Sequence, residues 1–415
     1  MRAALLAAAL LLAGGRAHAQ PIDTAQAFRT TAEGISAGRF VFYPSIVVDT
    51  IYDNNIFYVS EDVPGSEPVS SGELIAAPRI MADLPLTRSR VRFAYSRQFR
   101  DYSSEQFVQS DHTSDLFDLE AWARFNAISV ALREHYVQGT QEVQAFDPGG
   151  EVRFGLVPFT LSEPAAEIGF VFGGRHRVDL APRLSTLNFD ESVQSSFYDY
   201  KRRGLAGRYS YQLDPATLAY VAYSDDRTDQ ERDSLLLSDV HVDTRYSGAG
   251  LQRTFAGAVV AAISAGYETQ NYEGGTGQDF SGLVFDVNFT WTASDVYRFE
   301  LGARRQPYQS FSVINSFYLN RELRLRMTQQ LGRSALWQVG AILQENEYVT
   351  VREDRTLRFD LGAGFRVSRL LRLSLGYNHE VRNSNIGVSV VPGEAIEPFN
   401  FTVDRVFLRI EAGYL

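Results

Sequence analysis

Cysteine is absent from the 415 residues. That excludes a disulfide scaffold, a thiolate metal site, a cysteine nucleophile and a lipidated N-terminal cysteine. Lysine is nearly absent too: Lys201 stands alone among 40 basic residues, the rest being arginine. The 50 acidic residues outnumber them and leave a formal net charge of −10, a poor electrostatic match for a polyanion, so no nucleic acid is expected as a partner. Long apolar runs are missing after residue 20. The longest, Ala256 to Ala265, is short and filled with Gly, Ala and Ser. A membrane-crossing helix needs about 20 apolar residues, so a helical membrane protein is excluded. What the chain does have is 45% hydrophobic residues with 28 Phe and 21 Tyr, the content of an ordered protein.

The first residues are a different material. Arg2 precedes an unbroken apolar run, Ala3 to Ala13, and Ala17-His18-Ala19 supplies a small-x-small cleavage pattern. The run is too short to span a bilayer as a helix, so residues 1–19 are expected to be a secretory signal peptide. Residues 20–38 are then a short periplasmic N-terminal segment. Residues 39–415 form one domain.

The dominant period of that domain is two. Leu357, Phe359, Leu361, Ala363, Phe365 and Val367 alternate with Arg358, Asp360, Gly362, Gly364 and Arg366. After a tight turn, Leu371, Leu373, Leu375 and Tyr377 alternate with Arg372, Ser374, Gly376 and Asn378. The same texture covers 91–100, 117–125, 283–291, 297–304 and 319–327. It marks strands with one apolar and one polar face. No propeller-blade repeat occurs, and no helical segment interrupts the series. Nearly every strand offers the same alternation, so the expected solution is a sheet closed on itself with its apolar face toward lipid. Short connections near 84–90, 125–127, 173–175, 213–216, 255–258, 292–295, 330–334 and 367–369 interleave with longer polar ones near 53–72, 103–112, 138–164, 190–196, 229–241, 274–278, 311–315, 349–353 and 383–399. The fold predicted is all-β: a closed antiparallel transmembrane β-barrel of about 18 strands (16–18). It places the protein in the outer membrane of a Gram-negative cell. Aromatic residues near strand ends (Tyr52, Phe57, Tyr58, Phe99, Tyr102, Phe197, Tyr198, Tyr200, Phe311, Phe317 and Tyr318) are expected to form headgroup girdles.

Alternation also assigns the lumen. Arg92, Arg100, Asp118, Glu120, Arg124, Asp286, Arg298, Glu300, Arg304, Glu322, Arg324, Arg326, Arg358, Asp360, Arg366 and Arg372 are expected to line the pore. An Arg facing lipid at the bilayer midplane would cost about 2–4 kcal/mol. Acids and arginines are mixed, so they either hydrogen-bond a passing solute or pair across the wall and hold a wet interior together. The connection 138–164, with Phe146-Asp-Pro-Gly-Gly150, is the candidate for a loop that folds inward.

Catalytic signatures are lacking. The six His residues form no His-Glu-x-x-His arrangement, and no helical segment follows Gly34-Ile-Ser-Ala-Gly38 to make it a nucleophile elbow, so neither an enzyme nor a cofactor is expected. The acidic stretch Ser224 to Asp233 lacks the glycine and spacing of a calcium loop. It reads as a solvated loop or a strand end facing lipopolysaccharide, and no metal site is assigned. The amphipathic final segment, Val406 to Leu415, looks like the signal read by the outer-membrane assembly machinery, although the usual terminal aromatic is here the penultimate Tyr414.

One resemblance is more specific. Gly34-Ile-Ser-Ala-Gly-Arg-Phe-Val-Phe-Tyr-Pro-Ser45, followed by Thr50-Ile-Tyr-Asp-Asn-Asn-Ile-Phe57, resembles the opening of the beta-barrel porin-2 family. The likeness continues as barrel texture over the rest of the chain. Its members are bacterial outer-membrane barrels, several tied to exopolysaccharide export. The resemblance implies a channel for a secreted polysaccharide, with periplasmic export proteins as partners beside membrane lipid and lipopolysaccharide. The residues alone imply a barrel, which leaves a general or solute-selective diffusion porin and a structural or adhesive barrel with a blocked lumen as alternatives. Asp53-Asn54-Asn55 itself reads as a turn, because Asn and Asp accept left-handed backbone conformations.

Overall fold

The computed structural model describes residues 34–56, 58, 67–104, 112–142, 156–189, 199–231, 240–256, 258–274, 278–310, 316–385, 388–389, 397–398 and 400–414. Every regular element among them is a strand: β1 (Ile35–Ala37), β2 (Phe40–Asp53), β3 (Ser71–Pro85), β4 (Ser89–Tyr102), β5 (His112–Phe125), β6 (Ile128–Glu142), β7 (Leu156–Ser162), β8 (Ala165–Phe172), β9 (His176–Phe189), β10 (Asp199–Asp214), β11 (Thr217–Glu231), β12 (Val240–Phe255), β13 (Val259–Glu273), β14 (Phe280–Thr292), β15 (Tyr297–Gln309), β16 (Phe317–Leu331), β17 (Ala335–Tyr348), β18 (Glu353–Arg366), β19 (Leu371–Ser384), β20 (Val388–Ser389), β21 (Glu397–Pro398) and β22 (Phe401–Gly413).

Each wall strand pairs antiparallel with its neighbours in sequence, and β2 pairs with β22 from Ser45↔Gly413 to Asp53↔Arg405. The sheet is therefore closed. β7 and β8 are two halves of one wall strand, broken at Glu163-Pro164 but both paired to β6 and β9. β1 folds back on the start of β2, and β20 with β21 forms a small ribbon in the connection before β22. The wall has 18 strands, the number read from the turns. The links 86–88, 126–127, 173–175, 215–216, 256–258, 293–296, 332–334 and 367–370 are short and share one rim with the start of β2 and the end of β22. Gly173 and Gly174, with φ of 57° and 71°, fill the β8–β9 turn, a left-handed pair that matches strand twist. Pro44 sits where its missing N–H costs least, since the β2–β22 ladder begins only at Ser45.

Burial is inverted relative to a soluble protein. Leu205, Val221, Ile263, Leu283, Leu325, Leu343, Leu361 and Leu375 are exposed, while Asp49, Asp179, Arg358, Arg372, Asn378 and Glu380 are buried. Such an exchange is favourable only where lipid covers the apolar side.

The wall is taller than the apolar band needs. Strands run 13 to 16 residues, against the 9–11 or so that span hydrocarbon. The surplus carries charge on the apolar side of the wall. Arg245 lies 3.6 Å from Asp225, His241 lies 2.8 Å from Asp229, and Arg321 reaches Glu345 at 3.0 Å. The stretch beginning at Ser224 is thus the top of β11, its residues pointing alternately to the two faces. Among the described residues no group of acids and histidines is arranged to hold a metal.

The aromatic girdle needs correction. Tyr52 and Phe99 are exposed on the apolar side, but Tyr58, Tyr102 and Tyr318 are buried, and Tyr200 and Phe317 pack against buried apolar clusters. Clustering near strand ends located these rings, yet strand parity turns Tyr102 and Tyr318 to the opposite face. Phe57, Phe197, Tyr198 and Phe311 lie outside the described residues. Exposed Phe125, Phe172, Phe255, Trp291, Tyr297 and Phe365 supply the ring at the short-turn rim. Gln138–Glu142 and Leu156–Ser162 belong to wall strands rather than to a loop; residues 143–155, with the Phe146 segment, lie outside the described residues.

Candidate functional site

Strand pleat puts the sixteen arginines and acids assigned by alternation on the polar face, and hydrogen-bonded pairing gathers most of them into three patches. On β14 to β16, Arg304 donates to Asp286 at 3.0 Å, Arg298 lies 2.5 Å from Glu300, and Arg326 stands 3.8 Å from that same Glu300. Arg324 lies 2.9 Å from Glu322 and reaches across β15 to Asn288 at 3.5 Å. On β18, β19 and β22, Arg358 donates to Glu380 at 3.1 Å, Asn378 donates to Asp360 at 2.6 Å, and Arg372 stands 3.7 Å from Glu411. On β3 to β6, Arg100 meets Glu73 at 2.9 Å, Glu120 stands 3.9 Å from Arg133, and Asp118 bonds His135 at 2.7 Å. Arg92 is in register with Glu120. Arg124 and Arg366 sit apart from these patches at the short-turn rim, where Arg366 donates to the Arg333 carbonyl at 2.9 Å.

Several members of the same face escaped the sequence reading. Stepping in twos from Arg358, through Thr356, reaches Asp354, and stepping on from Asn378 reaches Glu380 and Arg382. Arg352 and Arg382 both engage the Asp354 carboxylate, which is 1% exposed. The alternation that assigned Arg358 and Arg372 extends to these residues, so the signal was present. Asp179 is held by Arg177 and Arg208, at 2.6 Å and 3.1 Å.

The other omission lies at the closure of the barrel. Arg409 grips Asp49 through two bonds of 2.6 Å and 2.7 Å, and Arg405 grips Asp53 at 2.5 Å. The Asx turn after β2 extends this seam. The Asn55 amide donates to Asp53 at 2.8 Å, and the Asn55 side chain donates to the Thr402 carbonyl at 3.1 Å. Asn54 exchanges bonds with Asp404 at 3.2 Å and 2.7 Å. Tyr58 then packs edge-on against Phe401, with ring centroids 5.0 Å apart, and its hydroxyl accepts from Arg405. The Asp-Asn-Asn segment is therefore a turn, as its composition says, and also a clasp between the first and last wall strands. Sequence could not reveal this, because its partners lie about 350 positions away.

Some contacts on the polar face skip strands. Arg183 of β9 donates to Asp226 of β11 at 2.8 Å, over β10. Gln230, near the top of β11, donates to Gln309 of β15 at 3.3 Å. Contacts of that reach can form only across the concave side of a closed sheet. The arrangement can hydrogen-bond solutes through planar guanidinium, carboxylate and amide groups.

The family model described as "Putative beta-barrel porin 2" matches residues 30–397. No curated protein matches the chain. Among solved structures, the FrpB iron transporter of Neisseria meningitidis (F3-3 variant) aligns over 90% of this chain and 81% of its own, at 9% identity and a TM-score of 0.51. The apoprotein form of the F5-1 variant aligns over 92% and 82%, at 9% identity and 0.50. OccK3 (OpdO) of Pseudomonas aeruginosa aligns over 90% and 96%, at 13% identity and 0.49.

Proposed function

Because the chain belongs to the beta-barrel porin 2 family, and is thus an outer-membrane β-barrel of the porin and channel type, we propose that it exports an exopolysaccharide through an aqueous lumen lined by its polar face. The observation that carries this reading is the ladder across β14 to β16. Glu300 stands between Arg298 and Arg326, with Asp286, Arg304, Glu322 and Arg324 alongside, and Arg298, Glu300 and Arg326 remain substantially exposed. Planar charged groups in that state exchange their partners for the hydroxyls and carboxylates of a moving sugar chain. Weak contacts in series let a chain enter and leave. The remaining assigned residues line the same bore or brace it. Residues 1–19 direct export, periplasmic export proteins deliver the polymer, lipopolysaccharide surrounds the outer rim, and β22 is handed over by the assembly machinery. No cofactor takes part in this reading.

Solute flux through the purified protein in liposomes tests it, with a size ladder of neutral and acidic oligosaccharides. Long chains are expected to pass, with flux blocked by added polysaccharide. Passage of small solutes alone would make the protein a diffusion porin. No passage at any size would sink the constitutively open channel and leave an exporter gated by its periplasmic partners or a structural or adhesive barrel with a blocked lumen.

A further inference from the structure

The export reading leaves open where a sugar chain touches the wall. The polar face of β12 carries no charged residue: it presents Val240, Val242, Thr244, Tyr246, Gly248, Gly250 and Gln252. Two tyrosines cover its glycines. Tyr220 of β11 stands opposite Gly250, and a Cβ placed on Gly250 would run into the Tyr220 ring. Tyr246 leans over Gly248 and over Gly266, which faces Gly248 from β13. Bare backbone accepts a ring laid along the sheet, and both tyrosines keep part of their surface open.

The band continues upward. Tyr246 and Phe317 pack against the cluster of Phe280, Val284 and Leu319. Phe317 meets Phe280 with ring centroids 5.3 Å apart and Tyr272 with centroids 6.2 Å apart. Polar planar groups flank it. Glu268, opposite Tyr246 in register, accepts from Gln270 at 2.9 Å. The Arg208 guanidinium lies 5.8 Å from the centre of the Tyr220 ring.

We propose that Tyr220 and Tyr246, laid over Gly250, Gly248 and Gly266, form a stacking track for the pyranose rings of a glycan chain. The track rests on the export reading and gives its substrate a place to bind. A pyranose has a face of C–H bonds and a rim of hydroxyls. The C–H face suits an aromatic ring, and the rim suits a carboxylate, amide or guanidinium. Gly250 and Gly248 are two residues apart on one strand, or about 7 Å, so successive sugars of a single chain meet both rings.

The test is interruption of ion current through single barrels in a planar bilayer by a linear neutral glucan oligosaccharide. Tyr220→Leu and Tyr246→Leu cover the glycines without offering an aromatic face. Each is expected to shorten glycan residence about three- to tenfold, while Tyr220→Phe and Tyr246→Phe keep it near the unaltered value. Gly250→Ala retains both tyrosines but lifts the Tyr220 ring off the wall, and the same shortening is expected. Residence unchanged in the double leucine variant overturns the track and leaves export standing. Residence unchanged in Gly250→Ala overturns it even if the leucine variants do not insert. Steady ion current with no interruption by any glycan in the unaltered protein overturns both readings together.

Discussion

Two sectors of the wall use the same residue types at the same parity and treat them differently. Around the closure, on β17 to β19, β22 and β2, the ion pairs are sealed. Arg382 and Asp354 are 2% and 1% exposed, and Arg358 and Glu380 are 9% and 3% exposed. Across β15 and β16 the group around Glu300 stays wet, with Arg298, Glu300 and Arg326 at 57%, 32% and 51%. A sealed pair contributes little beyond what apolar packing would, yet removing one partner strands the other without water. A wet pair loses little when its partner changes, because solvent or solute substitutes. The sealed sector therefore holds the barrel closed, and the wet sector is left to meet what passes.

The largest expected effect breaks the sealed side. Asp354→Ala leaves Arg352 and Arg382 facing one another in a buried site, at a cost of about 3–5 kcal/mol. Urea unfolding of the detergent-solubilised or lipid-reconstituted barrel measures it. A loss below about 1 kcal/mol would show that the two sectors do not differ in the way their burial implies.

A somewhat smaller effect tests which side of the wall meets lipid. Leu361 lies midway along β18 on the exposed apolar face. Leu361→Arg should cost about 2–4 kcal/mol at bilayer depth, read by the same unfolding assay. Asp225→Leu, on that face but in the charged surplus at the top of β11, should stay within about 0.5 kcal/mol. Equal costs at both positions would remove the distinction between the apolar band and the charged rim above it.

Much of this architecture was legible because a membrane barrel writes its pleat into every strand. Leu357 to Val367 declared a face residue by residue, and a one-residue slip would have exchanged lipid and lumen along the whole strand. The short turns and longer connections fell where hydrophobic alternation stopped. What alternation cannot carry is distance across the sheet. Asp53 and Arg405 belong to opposite ends of the chain, and only closure brings them together. Nor does alternation report burial: Arg358 and Arg298 look alike in sequence, and their neighbours decide which is sealed. Tyr220 and Tyr246 were invisible for a related reason, since a ring over a glycine is a relation between adjacent strands, fixed by register.

The smallest stability effect carries the sharpest test of the comparison. Glu300→Gln removes the carboxylate shared by Arg298 and Arg326 in the wet sector. It should change unfolding free energy by no more than about 0.5 kcal/mol, because water reaches all three groups. If those groups face the moving solute, the freed arginines should still act on it. The expected result is a shift of the reversal potential toward anion preference in a salt gradient, together with longer residence of acidic oligosaccharides. Glu380→Gln removes the same charge beside Arg358 in the sealed sector, and there the signs exchange: stability falls and selectivity does not move. Identical responses from the two carboxylates would mean that burial does not separate structure from transport in this wall.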